Sequence, residues 1–160
     1  MIAVLLLVVL ALGWWWFLAP SARFTQRFAA LIDSPAAPAG LLALTSRSTI
    51  SGKFKGRPVV LRIVRPREDR PGVVVLTMKT AAPDGAPWKD STLVARDPDV
   101  GRATFDLEGR YELVLSMSNG WLTATWMPLS FGGFPGRFDE HRWRTTLAQM
   151  HVLAEWLERK

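Results

Sequence analysis

The first nineteen residues, Met1 to Ala19, contain no charged side chain and no polar one. No other stretch limits so strongly what this chain can fold into. As a helix rising 1.5 Å per residue the run measures roughly 28 Å, close to the hydrocarbon thickness of a bilayer. Trp14, Trp15, Trp16 and Phe17 stand at its C-terminal end, where amphipathic rings favour the headgroup level. Pro20 follows and is expected to break the helix. Residues 1–20 are therefore expected to form one transmembrane anchor. The alternative is a cleaved signal peptide over residues 1–22, which would leave a secreted or periplasmic domain. It fits less well: no Lys or Arg precedes Arg23, Pro20 holds the −3 position for cleavage after Ala22, and bulky Trp residues come just before.

Charge sets the expected orientation. Arg23 and Arg27 flank the C-terminal side of the run. With the aromatic residues they are the candidate membrane-interface anchors, and the positive-inside rule places the rest of the chain in the cytoplasm. Residues 21–33 read as a juxtamembrane amphipathic helix, because Phe24, Phe28, Leu31 and Ile32 fall on one helical face. Periodicity leaves open whether that face meets the bilayer interface or the domain. Residues 34–45 begin with SPAAPAG, a linker composition.

From residue 46 to 160 the pattern is that of an α+β domain. Thr49 to Phe54 alternates, Lys55-Gly56 suits a tight turn, and Pro58 to Arg65 and Val73 to Lys79 are β-branched runs. Thr92 to Ala95 and Ala103 to Leu107 read as further short strands, and Asp97 to Gly101 as a turn. Tyr111 to Ser118 and Trp121 to Met127 flank Asn119-Gly120, the preferred two-residue type I′ loop. That loop sets Met117 against Leu122, Leu115 against Ala124 and Leu113 against Trp126 on one apolar face, and a one-residue slip would scramble the sorting. Asp139 is a natural N-cap for a long C-terminal helix. Its stripe is Trp143, Leu147, Met150, Ala154 and Leu157, widened by Leu153. The expected architecture is a transmembrane helix, then an antiparallel β-meander packed by one long helix.

The formal net charge is +6. Eight cations against two acids between Arg47 and Arg70 account for all of it. Lys53, Lys55, Arg57, Arg62, Arg65, Arg67 and Arg70 are thus candidates for contact with an anionic surface, either lipid or a partner in the membrane. A solvated face that protects a sheet edge is the plain alternative. Nucleic acid is the weaker expectation, because only Phe54 interleaves with the cations.

Reactive chemistry finds little support. There is no Cys, which excludes thiolate metal sites and a Cys nucleophile. His141 and His151 lie about 80° apart around the helix and two to three turns distant, so they share no metal. GKFKGR lacks P-loop spacing, Asp97-Pro98-Asp99 lacks the remaining calcium ligands, and no GxSxG elbow is present. Asp139 would repel an anion at the helix start that follows Gly132-Gly133. The expectation is a non-catalytic binding or scaffolding module without cofactor, with a tethered enzyme of unrecognisable site as the alternative.

Overall fold

The computed structural model describes residues 2–34, 49–64, 73–82, 97–126 and 139–159. A helix α1 (Ile2–Leu31) precedes strands β1 (Thr49–Phe54), β2 (Arg57–Val64) and β3 (Val73–Lys79). A short helix α2 (Pro98–Thr104) runs into a π-helical segment (Phe105–Arg110). Strands β4 (Val114–Ser118) and β5 (Trp121–Trp126) follow, then helix α3 (Glu140–Glu158).

The sheet is antiparallel throughout, in the order β1-β2-β3-β5-β4. It is not a simple meander. The chain leaves β3, passes through α2, enters at the edge as β4, and returns as β5 to pair with β3. Both hairpins turn where expected. Lys55 and Gly56 have φ of +48° and +81°, Asn119 and Gly120 +53° and +69°, the paired positive values that a I′ loop requires. The register Leu115↔Ala124 and Met117↔Leu122 follows from that turn. The ladder ends at Val114↔Thr125, so the expected Leu113–Trp126 pair is not part of it.

Two further expectations are corrected. Ala103 to Leu107 is helical, not a strand. Alternation would put Ala103, Phe105 and Leu107 on one face, yet Ala103 and Leu107 are buried while Phe105 is 69% exposed. The operative spacing is Val100, Ala103, Leu107, a helical stripe. Asp97 is the N-cap, accepting from the amides of Asp99 and Val100 at 3.1 and 3.3 Å, with Pro98 in the first turn. The second correction concerns Pro20. The helix continues through it, so residues 21–31 are the last turns of α1 and not a separate helix. Proline removes one backbone donor, and strong helical context on both sides carries the chain past that loss. The expected strand at 92–95, the loop around Trp88 and the Gly132-Gly133 segment lie outside the described residues.

One face of the sheet holds the core. Val59, Leu61, Val74, Leu76, Met78, Leu115 and Leu122 point inward and are buried against α3, α2 and the end of α1. The α3 stripe is buried as its spacing predicts, with Trp143, Leu147, Met150, Leu153, Ala154 and Leu157 all inside. Asp139 caps that helix by accepting from the Arg142 amide at 3.1 Å. Phe24, Phe28 and Ile32 join the same cluster, which settles their periodic face as one packed on the domain. Each such side chain contributes about 2–3 kcal/mol on burial.

Candidate functional site

The last turns of α1 fix how the apolar helix meets the domain. Phe24 and Phe28 each stand edge-on to Trp143 at 5.5 Å, and Trp143 stands edge-on to Trp126 at 6.2 Å. Eight residues after Phe24, the carbonyl of Ile32 accepts from the Lys53 amide of β1 at 2.5 Å. Ser34 Oγ donates to the Ser51 carbonyl at 2.7 Å. The helix closes through Ser34 N to Ala29 O (3.2 Å), with Asp33 at φ +44°, the six-to-one bond of a Schellman end. Gly52 allows this close approach: a Cβ there would come within 2.2 Å of the Ile32 carbonyl.

These contacts set a direction. Trp126 lies at the end of the sheet where β2 finishes and β3 begins, since it pairs with Val74 and Val74 with Ile63. The helix axis therefore runs from the level of Lys53 toward the Trp126 end. The N-terminal part of α1 leaves the domain there, at what we term the proximal end. Both hairpin turns, Lys55-Gly56 and Asn119-Gly120, are at the opposite, distal end.

Along the emerging helix the consecutive residues Val4 to Val9 are 51 to 69% exposed, and Leu12 is 62% exposed. Six successive residues point in every direction around a helix, so no side of this stretch is covered by the domain. No helix built from the described residues is long and apolar enough to cross a membrane. In the first half of α1 the side chains described are those of residues 4–9, 11 and 12, fewer than a span requires. The side chains of Trp14, Trp15, Trp16, Phe17 and Arg23 lie outside the described set, whereas Arg27 is exposed.

The basic cluster is divided by the fold. Arg65, Arg67 and Arg70 lie outside the described residues. Lys53 and Arg62 are exposed on the sheet face opposite the core, and Lys55 sits in the distal turn, 5.9 Å over the Phe54 ring. Arg57 is not a free surface cation. It faces inward at the distal end and grips Glu158 of α3 through both guanidinium nitrogens, at 2.5 and 2.7 Å. Its Nε donates to His151 Nδ1 at 3.2 Å.

Glu158 also accepts from the Ala81 amide at 2.7 Å and Thr80 Oγ1 at 3.2 Å. The Arg57 hydrogen bonds hold its carboxyl at about 2, well below the usual range. Arg is only a donor, so Nδ1 of His151 must be the unprotonated nitrogen. Its Nε2 lies 3.2 Å from Glu155. Burial, reinforced by the charges of Arg57 and Lys55, lowers the His151 pKa, against the pull of Glu155 and Glu158. The group ties the end of α3 to the start of β2 and the end of β3. These bonds join three separate segments, and the group is a structural latch. Sequence reasoning missed it, although Arg57 keeps period-two phase with buried Val59 and Leu61.

At the proximal end Arg142 lies 4.6 Å over Trp126 and 5.3 Å over Tyr111, and donates to the Tyr111 carbonyl at 2.9 Å. Among the described residues no group of His, Asp and Glu is arranged to hold a metal. Comparison with protein-family models, curated proteins and solved structures finds no match to this chain.

Proposed function

We propose that the protein is a single-pass, membrane-anchored binding module without catalytic activity, its α+β domain on the cytoplasmic side. One observation carries the anchor: Val4 to Val9 are apolar and exposed all round the helix. A helix apolar on every side needs an apolar surrounding, and the uncharged sequence from Met1 to Ala19 is long enough to meet one. Arg23 and Arg27 on the domain side support the cytoplasmic orientation. The binding role is supported by the cations that the sheet presents away from its core, Lys53, Arg62 and Lys79.

Flotation with phosphatidylcholine vesicles tests the anchor. The native chain is expected to float with the vesicles in high salt and to resist alkaline extraction. The double variant Leu5→Arg/Val9→Arg places two charges in the span, of which the one at position 9, near the span centre, costs about 3 kcal/mol, and is expected to be released. A native chain that sediments free of vesicles as readily as the variant would end the anchored reading.

A further inference from the structure

The sheet has a second face, and the register makes its chemistry explicit. Side chains that alternate with the core positions are all exposed or half-buried, from Thr49 on β1 to Val114 on β4. Among the described residues none of this face is buried. The ladder places Lys53 beside Pro58, and Lys79 beside Trp121. Pro58 and Lys79 are one step beyond the Val59↔Met78 pair. Lys53, Pro58, Lys79 and Trp121 therefore form one rung across four strands. Strand spacing puts the two lysines roughly 10 Å apart. Lys79 Nζ stands 5.3 Å over the Trp121 ring and donates to the Asn119 carbonyl at 3.3 Å. Arg62 lies on the same face, nearer the proximal end. None of the five strands carries an Asp or Glu, so every charge the strands themselves present on this face is positive.

We propose that this rung is the docking site for an acidic segment of a protein partner. Charge complementarity selects the partner: strand cations with no strand carboxylate among them, beside an indole that supplies a rigid apolar contact. Lipid is disfavoured by position. The rung is at the distal end, roughly 20 Å along β2 from the proximal end, beyond the roughly 8 Å screening length of physiological salt. That step rests on the anchored reading. Nucleic acid is disfavoured by the single aromatic ring and the few cations, since a nucleic-acid surface combines stacking platforms with a continuous basic track.

The test uses the full chain in phosphatidylcholine nanodiscs. A poly-L-glutamate peptide is compared with a single-stranded oligonucleotide of matched charge. The proposal expects the peptide to bind, and Lys53→Glu/Lys79→Glu to weaken it at least about tenfold. Arg102→Glu/Arg110→Glu, with the same net charge change elsewhere, should leave binding within about twofold. Unchanged thermal melting confirms that both variants fold, and Trp121→Leu, which alters no charge, gives an independent weakening. Equal loss in the two charge-reversed variants, no peptide binding, or preference for the oligonucleotide overturns the proposal. Nanodisc insertion is read separately by co-elution. If the chain does not insert, the anchored reading fails and the rung is still tested on the detergent-solubilised chain.

Discussion

The distal latch holds two side chains that make the fold sensitive to pH. Glu158, held at about 2, is bound in the folded state as a carboxylate. Its contribution is fully present above the ordinary value of 4.5 and is lost as pH falls from there toward 2. Glu158 is partly open to solvent, and screening discounts the shift to something on the order of 1–2 kcal/mol. Glu158→Gln should remove most of the acid-sensitive component and lower stability by about 1–3 kcal/mol at neutral pH, read by urea denaturation. His151 acts in the same direction by another route. Its folded pKa is lowered, so the unfolded chain takes up the proton first as pH falls through 6.5. Stability contributed by the neutral ring is complete above that value and declines below it. His151→Gln should flatten the stability profile just below pH 6.5 while leaving the Glu158 component intact. An unchanged slope in that variant would show that burial beside Arg57 does not hold the ring neutral.

Among the elements, α1 is the one whose two parts meet different surroundings. Its last turns are seated on β1 through Gly52, where a Cβ would meet the Ile32 carbonyl at 2.2 Å and its Cγ1 at 2.9 Å. Gly52→Ala must displace the end of the helix, so we expect destabilisation of about 1–3 kcal/mol and faster hydrogen exchange at Phe28 to Ile32. Gly56→Ala has open space around it but a φ of +81°. It should cost about 1 kcal/mol and leave exchange in α1 unchanged. Equal exchange in both variants would mean that α1 is not seated on β1. The hairpins are the elements most legible in the sequence, because Asn119-Gly120 fixes both turn and register and the apolar residues sort accordingly. The Ala103–Leu107 segment is the least legible. Over five residues, apolar positions at 103, 105 and 107 satisfy a period of two, and only the neighbouring Asp97-Pro98 cap argues for a helix.

At the scale of the whole molecule, the sequence conveys the class of fold and the α3 stripe, because each depends on local periodicity. It does not convey that β5 inserts between β3 and β4, since strand order depends on a crossover through α2. Nor does it reveal the division of the basic cluster, which needs the register to send Arg57 inward and Lys53 outward. The shared consequence is a polarity along the strands: an apolar helix leaves at the Trp126 end, and the lysine rung lies at the other.

Spin-label accessibility tests that polarity most directly. The chain has no Cys, so Leu7→Cys and Ser118→Cys each carry a single nitroxide on the full-length protein in phosphatidylcholine vesicles. A label at position 7 should collide readily with oxygen and hardly with a water-soluble nickel chelate, and a label at position 118 should do the reverse. Comparable nickel accessibility at both positions would contradict the account, because the exposed apolar half of α1 would then be meeting water and not lipid.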